Sequence, residues 1–172
     1  GIGTRIEQMI LLLMIGLNIS TLSITSYNFG ARQYDRIREV YHRCLLYGVS
    51  MMLLGSLVLR FSAEFWIGIF SNSPEVVLHG SHFLRIEALI LPTYVILFLG
   101  TAVLQGLKKP EYALILNIYR LVLGPLLLFW YLIEIQGWGI DGIWWGIFWV
   151  NWIGVLLNLI LVHYFLPKKV RV

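Results

Sequence analysis

Five apolar runs of nearly membrane-spanning length constrain this chain more than any other feature. They cover about residues 6–26, 44–59, 83–105, 113–133 and 143–166. An α-helix needs ~20 apolar residues to cross the ~30 Å of hydrocarbon in a bilayer. The chain has 172 residues, 59% of them hydrophobic, against about 45–50% in soluble domains. The runs therefore predict an all-α integral membrane fold with five transmembrane helices. Two of them contain a proline, Pro92 and Pro125. Proline is tolerated in membrane helices because neighbouring groups re-satisfy the carbonyl it frees.

The longest polar interval is 28–43, NFGARQYDRIREVYHR, which sets Arg32, Arg36, Arg38 and Arg43 against Asp35 and Glu39. A basic loop between two spans is cytoplasmic under the positive-inside rule, and its placement orients every other span. With 28–43, 106–112 and 167–172 inside, the inner side holds nine Lys or Arg. The outer side holds three, Arg5, Arg60 and Arg85. The expectation is a multi-pass plasma-membrane protein with its N-terminus outside and with loop 28–43 and the C-terminus in the cytoplasm. The net charge of +4 lies in these short loops, so it does not indicate a nucleic-acid partner. Cys44 is the single cysteine, which excludes an intrachain disulfide framework and a thiolate metal cluster. A span begins almost at Gly1 with no n-region or cleavage site before it, unlike a signal peptide. The chain is expected to be part of a longer protein.

Glycines at 16, 48, 55, 100, 124, 142 and 146 are spread along the spans, where small residues let helices approach closely. Gly142 and Gly146 have the small-xxx-small spacing. Trp138, Trp144 and Trp145 cluster at the outer end of the last span, as an interfacial aromatic belt would. His42, His79, His82 and His163 lie near loops without metal-ligand spacing, so they are expected at the surface. No Ser/His/Asp grouping, phosphate loop or metal motif occurs, and an enzyme is not expected.

Five segments, in order, resemble the multidrug and toxic-compound extrusion (MATE) family. SYNFGARQYDRIRE is similar to that family's N-x-G-A element, which ends a span before a basic helix. GIGTRIEQMI resembles the start of the eighth helix. FSNSPEVV with HFLRIEALILP resembles the loop and tenth helix, LQGLKKPEYAL the turn that follows, and GWGIDGIWWGIF the start of the twelfth. The resemblance covers almost the whole chain as helices eight to twelve. It implies most of one six-helix bundle of a twelve-helix transporter whose N-terminal bundle is not in this chain. It also implies export of small organic, often cationic, compounds in exchange for Na⁺ or H⁺, with no other cofactor. Some members carry a cation-binding Asp in the tenth helix. Here that region reads PTYVILFLG, with Thr93 and Tyr94 and no carboxylate, so that ion site does not carry over. A flippase for lipid-linked saccharides from the same superfamily is the nearest alternative, and a non-transporting assembly subunit a further one.

Ionisable groups inside hydrocarbon are costly and mark candidate sites. Arg-Ile-Glu occurs twice, at 5–7 and 85–87. Glu7 and Glu87 each stand about one membrane thickness before a cytoplasmic turn, at Asn28 and Gly106. Both are candidates for drawing in a cation or proton; as interfacial charges, each would instead be balanced by its Arg neighbour. Arg120 is the deepest charge and is a candidate for binding an anionic group, for countering a carboxylate elsewhere, or for snorkelling to the inner face. Tyr94, Asn18 and Asn117 complete the candidate set. Asn18, Asn117, Asn151 and Asn158 are expected to form interhelical hydrogen bonds.

Overall fold

The computed structural model describes residues 2–166; within the first helix, the side chains of residues 2–7, 9–11 and 13 lie outside the described residues. Seven helices account for nearly all the described residues. They are α1 (Ile2–Gly30), α2 (Tyr34–Phe61), α3 (Ala63–Gly68), α4 (Pro74–Glu87), α5 (Leu91–Gly106), α6 (Pro110–Ile135) and α7 (Ile140–Phe165). The chain is an all-helical, multi-pass membrane protein. Among the described residues, α2, α6 and α7 are each long and apolar enough to cross a membrane, and α4 with α5, bent by 44° at a short break, has the length and hydropathy of a broken span or a re-entrant loop. The first expected span lies within α1.

α5 is the centre of the bundle. Its sequence is apolar all round, as a helix surrounded by others must be, and only Ile96, Phe98 and Gln105 are not buried. α1, α2 and α7 pack around it. Two glycines make the approach possible. A Cβ on Gly100 would overlap Asn158 Oδ1 of α7, and one on Gly106 would meet Thr25 of α1 at 2.6 Å. The small-xxx-small pair works likewise between α6 and α7, where a Cβ on Gly146 would lie 2.5 Å from the Phe129 ring. Gly16 and Gly55 face open space.

The basic interval 28–43 is not a loop. α1 runs on to Gly30 and α2 begins at Tyr34. Hydropathy underestimated both helices because the first turns of α2 are amphipathic: Ile37 and Tyr41 are buried, while Arg36 and Arg43 are exposed. The remaining turn, Ala31–Gln33, repeats at residues 107–109. In each turn the first N–H bonds the carbonyl four back, the second three back and the third five back, ending with Gln33 N to Asn28 O at 2.8 Å and Lys109 N to Leu104 O at 2.9 Å. The middle residues, Arg32 and Lys108, have φ of 57° and 59°. This crossed bonding is the usual way to satisfy the last carbonyls of a helix, and it puts basic residues at both turns on one end of the bundle.

The third expected span also differs from its observed form. Its helix starts at Pro74 rather than near residue 83, and it breaks at residues 88–90 instead of running through Pro92. The expected polar connection 60–82 is largely helical, holding α3 and much of α4. At this opposite end Arg85 pairs with Glu64 at 2.7 Å, and His82 and Asp141 approach to 3.8 Å.

Candidate functional site

The break between α4 and α5 follows from Pro92. Without an N–H, Pro92 cannot donate to the carbonyl of Ala88, four residues back. The hydroxyl of Ser56, on α2, donates to that carbonyl instead. The backbone tightens around it, with Ile90 N bonding Glu87 O and Thr93 N bonding Ile90 O, each at 2.8 Å. The bend leaves Glu87 as the last residue of α4, only 2% exposed. The hydroxyl of Tyr94 donates to its Oε1 at 3.1 Å. Glu87 is thus not an interfacial charge balanced by Arg85, which is exposed and pairs with Glu64. The side chain of Glu7 lies outside the described residues.

Pro125 perturbs α6 differently. Residues Tyr119–Leu123 widen into a π-helical turn, and Gly124 N bonds Tyr119 O, five residues back. Such turns relieve a local mismatch without ending the helix and occur often at functional sites. Here the widened turn carries Arg120, whose guanidinium lies 5.8 Å from the centre of the Phe98 ring on α5. Arg120 therefore points across to the central helix rather than only towards the inner face.

Two cavities meet at this pair. One, of about 210 Å³, is lined by Asn18, Thr101, Gln105, Asn117, Phe98 and Arg120, among others. The other, of about 260 Å³, reaches from Arg120 and Phe98 to Tyr94 and Asn151. Asn18 and Asn117 line the first cavity and Tyr94 the second, and the two adjoin at Arg120 and Phe98 as a crevice between α1, α5, α6 and α7; Glu87 lines neither but is bonded by Tyr94. Along α5 the crevice runs from Tyr94 to Gln105, roughly 16 Å at 1.5 Å per residue.

The asparagines divide by role. Asn18 Nδ2 donates across to Phe98 O at 2.8 Å, and Asn158 Nδ2 to Leu97 O at 3.4 Å. Asn151 departs from the expectation: its Nδ2 bonds Ile147 O within its own helix at 2.9 Å, leaving Oδ1 buried without a partner at the cavity wall. Asn117 lines the first cavity. Sequence reading missed Gln105, Phe98 and Thr101 as crevice residues. The apolar run around them hid their shared face, and the i, i+3, i+7 spacing of 98, 101 and 105 was the signal. A group of three or more His, Cys, Asp or Glu able to hold a metal is absent among the described residues.

Comparison with known proteins gives a consistent result. The MatE family profile matches residues 1–130. A protein of Shewanella oneidensis named FAD transporter is 28% identical over 128 residues, covering 72% of this chain and 27% of its own length. Two solved structures superpose with a TM-score of 0.86. One is the MATE transporter ClbM in complex with Rb⁺, at 23% identity, covering 98% of this chain and 38% of its own. The other is an inward-facing multidrug resistance MATE transporter of the MOP superfamily, at 18% identity, covering 94% of this chain and 38% of its own. The chain therefore spans well under half the length of these relatives.

Proposed function

Because the chain belongs to the MatE family, we propose that it forms most of one six-helix bundle of a twelve-helix secondary transporter. The whole protein exports small organic compounds by alternating access, in exchange for Na⁺ or H⁺. The observation that carries this reading is the crevice. It gathers Asn18, Asn117, Arg120 and Tyr94 along a buried central helix, where polar groups in a membrane protein mark a solute or ion path. A site between two bundles that rock against each other needs such a polar face on each. The basic interval 28–43, with its turn at residues 31–33, and the C-terminus face the cytoplasm in this reading. Glu87 and Glu7 supply the negative charge for which cation and solute compete.

The crevice also favours a second reading of the solute. Arg120 is the charged side chain lining both cavities, while the Glu87 carboxylate is engaged by Tyr94. An acidic solute with an aromatic ring fits Arg120 beside Phe98 and Tyr94 better than a cation does. The FAD transporter relative is consistent with that chemistry. Both readings are tested with the full-length protein in proteoliposomes under an imposed Na⁺ or pH gradient. Gradient-driven ethidium movement reduced by Glu87→Gln supports the cation; FAD movement reduced by Arg120→Gln supports the acid. Movement of neither a cationic nor an acidic organic solute under any gradient contradicts transport.

A further inference from the structure

A separate groove lies at the basic end of the bundle, between the first turns of α2 and the last turns of α7. Its volume is about 730 Å³. The polar side chains of its wall come from the end of each helix nearest the basic turns: Arg38, Tyr41 and His42 from α2, His163 and Tyr164 from α7. About a turn or two deeper the wall is aliphatic, with Leu45, Leu159 and Ile160. The two helices run in opposite directions, so head and wall match at the same depth on both sides. Among the described residues that line the groove none is a carboxylate, and nearby Glu39 pairs with Arg43 at 2.7 Å.

Two details mark this groove as built for a ligand. His42 Nδ1 lies 2.7 Å from Arg38 O. A carbonyl only accepts, so Nδ1 carries the proton and the ring is fixed with Nε2 left for another partner. Tyr41 is 4% exposed, and its hydroxyl is buried without a hydrogen-bond partner. A buried hydroxyl at the wall of a cationic groove calls for an acceptor.

We propose that this groove binds an anionic phospholipid, its phosphate held by Arg38, His42 and His163 and an acyl chain laid along Leu45, Leu159 and Ile160. The occupant follows from the setting. The helices cross a bilayer, so lipid is the surrounding solvent, and basic pockets between helices near the membrane surface select anionic head groups. The aliphatic wall below the charges has no use for a free phosphate. The site lies at a different face from the α5–α6 crevice and does not depend on the transported solute.

The test uses the full-length protein in detergent micelles, with bound lipids counted by native mass spectrometry. Phosphatidylglycerol should be retained over phosphatidylcholine. Each neutralising change, Arg38→Gln, His42→Gln or His163→Gln, should weaken retention, with about fivefold for the Arg. Ile160→Trp, at an exposed wall position that leaves every charge in place, should also reduce it. Arg43→Gln should not. Equal retention of the two lipids, unchanged preference in the single variants, or displacement by glycerol phosphate as effective as by the lipid would each overturn the proposal.

Discussion

Glu87 and Arg120 each stand five residues before a proline, in EALILP and RLVLGP, yet the chain treats the two sites in opposite ways. At Pro92 the helix stops and bends by 44°. At Pro125 it continues through a π-helical turn. Surroundings explain the difference. Pro92 opens the central helix, where a freed carbonyl is cut off from water and must be paired, and Ser56 of α2 stands in place to do it. α6 packs mainly against α7, and Leu121, Leu126 and Leu127 on its outer side are exposed. It has room to widen by one residue. The same covalent perturbation thus buries an acid in one case and turns a base towards a cavity in the other. Proline in a membrane helix sets a local problem, and the neighbours decide whether it yields a hinge or a site.

The sharpest way to break this comparison is to overfill the central helix. Gly100→Ala places a methyl on Asn158 and should cost about 1–3 kcal/mol as an overpacked core does, read as a lower thermal midpoint of the full-length protein in detergent. Gly124→Ala in α6 has gentler neighbours, with Tyr119 O at 3.0 Å and Val150 at 3.1 Å, and gains about 1 kcal/mol of helix propensity. Its midpoint should hardly move. Equal losses would mean that α5 and α6 are packed alike.

Ser56→Ala should cost about 1–2 kcal/mol by leaving the Ala88 carbonyl unpaired. The loss should shrink in a Pro92→Ala background, where residue 92 regains an N–H for that carbonyl. A double-mutant cycle measures the difference, and strict additivity would show that Ser56 does not answer to the proline. Smaller still is Tyr94→Phe, which removes one hydrogen bond to Glu87. Such bonds inside membrane proteins average ~0.6 kcal/mol. A loss several times larger would mean that the Tyr94–Glu87 contact itself holds the break.

Much of this was legible beforehand, for identifiable reasons. Apolar runs marked the helices because hydrocarbon leaves the backbone no other partner. The runs could not place helix ends, since the amphipathic start of α2 and the polar first turns of α4 look like loops by hydropathy. Asn18, Asn117, Arg120 and Tyr94 stood out as polar groups in apolar surroundings, and they line two adjoining cavities that share Arg120. The environment of Glu87 was not readable. Adjacency suggested Arg85 as its partner, whereas neighbours in sequence point to different sides of a helix, and the break turned the two apart. The π-helical turn was equally hidden, because nothing in RLVLGP distinguishes a widened helix from a bent one.

The central claim is that the crevice beside Arg120 lies on the solute path. Cysteine placed at Asn117, with Cys44 replaced by Ser, tests it in the full-length transporter. The new thiol should react with a small water-soluble reagent, the reaction should slow when the transported solute is present, and labelling should stop transport. A thiol that reacts at the same rate with and without solute, in a protein that still transports after labelling, would contradict the account.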